Sequence, residues 1–103
     1  MKSNNVVQQK SFAFAIRIVN VYKYLTLEKK ELVLSKQLLR YGTSIGANIE
    51  ESIDGQSDKD FLSKISISYK EARETVYWPK LLQATEFLLA QKATSLLNEA
   101  EEL

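Results

Sequence analysis

Along residues 37–51 the chain places Gln37, Ser44, Asn48 and Glu51 on one helical line, with Arg40 just outside it. Further on, Glu71, Glu74 and Trp78 share a face, with Ile67 in line and Lys70 nearby. Carboxylates in such company can act as general acids and bases or hold Mg²⁺. Adjacent acids such as Glu50 and Glu51 are a weak signal, because on a helix they are ordinarily solvated. The chain has no cysteine and no histidine, which removes thiolate nucleophiles, imidazole bases, soft-metal sites and Ser-His hydrolysis. A polar strip at the edge of a core is costly unless its hydrogen bonds are made. We therefore read Gln37, Arg40, Ser44, Asn48, Glu51, Glu71 and Glu74 as a structural network that fixes helix register, with Arg40 expected to meet Glu71 or Glu74. No catalytic residue, metal ligand or cofactor is expected, and the chain reads as a non-enzyme.

The basic residues suggest a different chemistry. Residues 1–40 hold eight Lys and Arg against two acids, a net of +6, whereas residues 41–103 net −5. Lys10 and Arg17 share a helical face, and Lys23, Lys29, Lys30 and Lys36 cluster around the first turn, near Tyr22 and Tyr24. Lysines beside aromatic rings suit phosphate contacts with some base stacking. The same asymmetry could let subunits meet basic side to acidic side, or could simply solvate the helices.

The stretch QLLRYGTSIGANIEES, residues 37–52, raises a question of its own. Glycine costs roughly 1 kcal/mol against alanine inside a helix, yet Gly42 and Gly46 stand in the middle of a helical pattern. Their spacing removes side chains from one line, which allows another backbone to approach closely. A phosphate-cradling loop would require G-x-x-x-x-G-K after a strand, and that pattern is absent.

The elements that must position these residues are helices. Three glycines and one proline in 103 residues are too few turn formers for an all-β domain. The spacing predicts helices over about 8–25, 31–54, 58–89 with a kink near Pro79, and 92–103. In the first, Phe12, Phe14, Ile16, Ile18, Val19, Val21, Tyr22 and Leu25 cover well over half the circumference. One monomeric core needs an apolar stripe of little more than about 100°. That helix is therefore either nearly central or turns a second face to another subunit. The second carries Leu34, Leu38, Tyr41, Ile45, Ile49 and Ile53, with Gly55 as its stop. Ser57 is a good N-cap for the third, with Asp58 and Asp60 at the positive end of its dipole. Short loops make these helices antiparallel neighbours in a single all-α, up-down-up-down four-helix bundle domain. No apolar run approaches the ~18 residues that span a bilayer, and the start lacks a signal-peptide core. A cytoplasmic location is the expectation.

The string QLLRYGTSIGANIEES, followed by SDKDFLSKISISYKEARETVYW, resembles the bacterial four-helix-bundle family named for intervening sequences of large-subunit ribosomal RNA. FAIRIV in the first helix is similar to that family's opening. Tyr41, where serine is common, and Pro79, where leucine is usual, depart from its pattern, and the family's fourth helix is typically longer. The resemblance implies a homopentameric ring of bundles. It also implies kinship with accessory proteins of diversity-generating retroelements, which bind a reverse transcriptase and nucleic acid through a basic surface. The expected function is that of a non-enzymatic, oligomeric accessory protein contacting RNA or DNA through Lys10, Arg17, Lys23, Lys29, Lys30 and Lys36. The alternative is a scaffold that binds protein only.

Overall fold

The structure, a computed structural model, describes residues 5–54 and 57–103. Five helical segments follow one another: α1 (Asn5–Leu27), α2 (Leu34–Ile53), α3 (Asp58–Thr75), α4 (Tyr77–Ala84) and α5 (Ala90–Glu101). No strand occurs among the described residues. The helices form an elongated bundle of 44 × 21 × 18 Å.

Neighbouring helices run in opposite directions. From α1 to α2 the close approaches pair Ile18 with Gly42 and Ser11 with Gly46, and Gln8 with Glu50. From α2 the next helical arm pairs Glu51 with Lys64, Ile45 with Ser68, and Tyr41 with Trp78. The arm formed by α5 returns along α1, where Arg17 meets Glu99.

Phe14, Ile18 and Leu25 of α1, Leu38 and Ile45 of α2, Leu82 of α4 and Leu96 of α5 are fully buried. Each such side chain contributes about 1.5–3 kcal/mol through removal from water. The opposite face of α1 is not central: Phe12 and Ile16 remain 63% and 51% exposed. The apolar surplus of α1 thus lies on the outside of the chain.

The connections differ from the expected bounds for identifiable reasons. At the end of α1, Lys30 adopts φ 57, the left-handed conformation, and the Glu31 N–H reaches back to the Leu25 carbonyl at 2.9 Å. This six-residue wrap closes the helix and delays the start of α2 to Leu34 rather than Glu31. The expected stop at Gly55 lies outside the described residues. At the start of α3, the Ser57 hydroxyl accepts from the Asp60 N–H at 3.1 Å, with Asp58 and Asp60 in the first turn.

The expected helix over 58–89 is two segments and a turn. The regular hydrogen-bonded run is interrupted at Val76, three residues before Pro79, while the Val76 backbone itself stays helical at φ −62 and ψ −31. Proline has no N–H to give the Thr75 carbonyl and its ring crowds that oxygen, which interrupts the run one turn upstream. Pro79 then occupies the first turn of α4, where an N–H has no acceptor within the segment itself. The second segment stops at Ala84. Glu86 takes φ 70, and the Phe87 and Leu88 N–H groups both donate to the Leu82 carbonyl, at 2.8 and 3.2 Å. The reversal buries Leu88 and leaves Leu89 78% exposed. The last helix consequently begins at Ala90 rather than residue 92.

Candidate nucleic-acid interface

Antiparallel packing sends the α1–α2 turn to one end of the bundle and the α2–α3 turn to the other. Lys23 in the last turns of α1, Lys29 and Lys30 in the connection and Lys36 in the first turn of α2 are all exposed at the former end. The Lys29 ammonium stands 6.0 Å from the centroid of the Tyr24 ring. Glu28 is exposed there too, but Glu31 is withdrawn, with only 8% of its surface accessible.

Glu31 is held by the start of α2. Its carboxylate accepts from the N–H groups of Val33, Leu34 and Ser35 at 3.1, 2.9 and 2.6 Å, while the Ser35 hydroxyl donates to the Glu31 carbonyl at 2.8 Å. Burial pushes this carboxyl up, but the backbone donors of Leu34, Ser35 and Val33 outweigh it and leave the pKa below its ordinary value. Val33, the residue at the cap position, offers no side-chain bond, so Glu31 satisfies orphan donors from upstream. This anion therefore serves the helix and does not project into the basic end.

The remaining expected phosphate contacts lie elsewhere. The Arg17 guanidinium donates to Glu99 Oε1 and to Ser95 Oγ, each at 2.7 Å. Lys10 and Arg17 line a groove of about 560 Å³ between α1 and α5, whose far wall includes Asn98, Glu99 and Glu102. The structure thus brings four of the six basic residues together and sets Lys10 and Arg17 beside acids.

The opposite end carries Glu50, Glu51, Asp54, Asp58 and Asp60. Gln8 donates to Glu50 at 2.9 Å, and Lys64 meets Glu51 at 2.8 Å. The hydrogen bond and charge of Glu51 raise the Lys64 pKa. The sequence asymmetry between the first 40 residues and the rest has become, in part, a difference between the ends of the bundle.

The polar strip is only partly joined. Asn48 Nδ2 donates to Glu71 Oε1 at 2.7 Å and to the Ser44 carbonyl at 3.1 Å, and the Ser44 hydroxyl donates to the Tyr41 carbonyl at 3.2 Å. Glu51 turns to Lys64 instead, while Glu74 is exposed and Gln37 half-buried. Arg40 does not meet Glu71 or Glu74. Asn48 takes Glu71, and Arg40 lies on the solvent side of α2, its guanidinium carbon 5.6 Å from the Tyr41 ring centroid. Gly42 and Gly46 face α1: a Cβ on Gly42 would stand 2.7 Å from Ile18 Cγ1, and one on Gly46 would stand 3.4 Å from the Ser11 carbonyl oxygen.

Beside Arg40 lies a group of aromatic residues that the helical pattern does not single out. Tyr41 and Trp78 are near-parallel, with centroids 6.4 Å apart, and Tyr77 meets Trp78 edge-on at 5.0 Å. Tyr77 is 57% exposed. Tyr41 belongs to the apolar stripe of α2 and Trp78 to the face of Glu71 and Glu74. Their meeting joins α2 to α4, a pairing between helices that the spacing alone does not give. Among the described residues no three acidic, histidine or cysteine side chains converge as metal ligands, and no helix is long and apolar enough to cross a membrane.

Residues 3–103 match the model of the family described as 23S rRNA-intervening sequence protein. A crystal structure of a protein of unknown function from the S23 ribosomal protein family of Bacteroides thetaiotaomicron is 53% identical, with a TM-score of 0.94. That match covers 99% of this chain and 90% of the other. Comparison with the curated proteins finds no match.

Proposed function

Because the chain belongs to the 23S rRNA-intervening sequence protein family, we propose that it is a non-enzymatic, cytoplasmic accessory protein that binds RNA or DNA through the basic end of its bundle. In this reading the chain is an up-down-up-down four-helix bundle, with α3 and α4 as one bent arm, and it assembles as a homopentameric ring.

The observation that supports nucleic-acid binding is the gathering of Lys23, Lys29, Lys30 and Lys36 at the α1–α2 end, with Glu31 withdrawn into the cap of α2. Each lysine that neutralises a phosphate releases a condensed counterion, so affinity falls steeply with salt. Fluorescence anisotropy with structured RNA, duplex DNA and single-stranded oligonucleotides over a salt series tests it. We expect a log–log slope of several units, reduced by about one for each of Lys29→Gln and Lys30→Gln. No binding to any of these at low salt would sink the proposal.

A second reading, a scaffold that binds protein only, draws on the exposed Phe12 and Ile16 of α1. It expects oligomerisation or partner capture with no salt-dependent nucleic-acid binding.

A further inference from the structure

We propose that Arg40, Tyr41, Trp78 and Tyr77 form a stacking platform for unpaired nucleobases, so that the chain takes single-stranded nucleic acid in preference to duplex. The inference rests on the nucleic-acid reading above and specifies which form of nucleic acid that surface accepts.

The four residues are contiguous. The Arg40 guanidinium lies 5.6 Å from the Tyr41 centroid, Tyr41 lies near-parallel to Trp78 at 13°, and Tyr77 stands at 88° to Trp78. Tyr41 and Trp78 are half-buried, Trp78 being packed against the core, while Arg40 and Tyr77 are exposed. The platform is therefore anchored on its inner side and open on its outer side. Rings held this way lose little freedom on binding, and every base has a face to offer them. An Arg plane beside the rings adds a stacking surface that is also a cation.

The charge around the rings suits a phosphate backbone. Lys36 lies one helical turn before Arg40 on the same exposed line of α2, and it belongs to the basic end. Lys80 is exposed one turn beyond Tyr77. The acids nearby are Glu71, engaged by Asn48 at 2.7 Å, and exposed Glu74, one turn before Trp78. A strand that places phosphates on Lys30, Lys36 and Arg40 runs along α2 to the aromatic residues. A duplex keeps its base faces stacked inside and can offer this platform only its phosphates. A protein partner would also find Trp, Tyr and Arg here, but the continuity with the lysines favours a polyanion with ring faces.

Trp78 is the only tryptophan in the chain, so the platform carries its own reporter. Tryptophan fluorescence is followed while the whole protein is titrated with oligo-uridylate, oligo-thymidylate, an abasic oligonucleotide of equal length, and duplex DNA, with anisotropy recorded in parallel. We expect quenching by at least one of the two base-bearing strands and little by the abasic strand or duplex. The ribose and deoxyribose arms report which backbone is taken. Tyr77→Ala should weaken single-strand binding at least about fivefold, and Arg40→Gln should weaken it too, with duplex affinity changed less. Circular dichroism of both variants checks that the fold is kept, and Tyr77→Phe should retain binding. Binding by anisotropy with no base-dependent quenching, or equal losses for single strand and duplex, would overturn the platform and leave the basic-end reading standing. Absence of binding to every probe would overturn both.

Discussion

A buried acid in a small helical protein is ordinarily costly, and Glu31 shows how the cost is met. Three backbone N–H groups at the start of α2 point at its carboxylate, and they would otherwise have no partner. Glu31→Ala removes the acceptor and leaves these donors to water. We expect a loss of about 1–2 kcal/mol, or several degrees in melting temperature for a domain of this size. The pH dependence has a definite sign. The folded pKa lies below the ordinary value of 4.5, so the contribution is fully present above that value and is lost as pH falls through the folded one. Glu31→Gln should therefore flatten the acid limb of a urea-midpoint series between about pH 3 and pH 7. An unchanged acid limb would show that other carboxylates govern it. In the sequence, Glu31 is only an acid at the beginning of a helical pattern. Its role depends on the left-handed turn at Lys30, which carries the carboxylate back over the helix start. No residue-type signal marks that turn, because the position is filled by lysine and not by glycine.

At the scale of elements, the two glycines of α2 serve different contacts although they share a spacing. Gly42 faces the fully buried Ile18 so closely that an added Cβ would sit 2.7 Å from Cγ1 and 2.9 Å from Cγ2, whereas Gly46 leaves 3.4 Å to the nearest atom of Ser11. Overpacking costs about 1–3 kcal/mol, against a helix-propensity gain of about 1 kcal/mol from glycine to alanine. We expect Gly42→Ala to destabilise and Gly46→Ala to be neutral or stabilising, measured by chemical denaturation. Ile18→Ala, which removes both Cγ atoms, should cost less in the Gly42→Ala background than in the wild type, because the two substitutions share one contact. The small-residue line and the apolar stripes of α1 and α2 were legible because helical periodicity alone sets which residues share a face. The third arm was less legible. Pro79 announces an interruption, and the carbonyl it leaves without a donor is that of Thr75, so the hydrogen-bonded run breaks just after it, at Val76. The turn over residues 85–89 contains neither glycine nor proline. It exists because Phe87 and Leu88 reach the core while the chain reverses, a tertiary gain that outweighs the left-handed conformation of Glu86. Arg40 misses both carboxylates for a related reason. Helical position puts it beside the polar strip, but the competing amide of Asn48 is closer to Glu71.

For the whole molecule, the two surfaces left over after folding make one coupled prediction. Phe12 and Ile16 lie one turn apart on the outside of α1, 63% and 51% exposed, and the basic residues of the α1–α2 turn lie at one end. Closed cyclic assembly repeats the same end of every bundle around the axis. A ring held through the α1 faces would therefore gather all its basic ends into one polyanion-binding surface. Linked sites convert later contacts into intramolecular ones and raise avidity without any new contact. Phe12→Gln with Ile16→Gln leaves the charge of each chain unchanged and touches no buried residue. We expect this variant to keep its helical circular dichroism, to fall to a lower mass by light scattering after size exclusion, and to bind a long single strand more weakly with a shallower salt dependence. A short oligonucleotide that reaches only one bundle should bind both proteins alike. A wild-type monomer mass at micromolar concentration would refute the ring, and a mass unchanged by the two substitutions would move the contact to another face. If the variant loses mass but binds the long strand as before, each bundle binds independently and the ring serves something other than avidity.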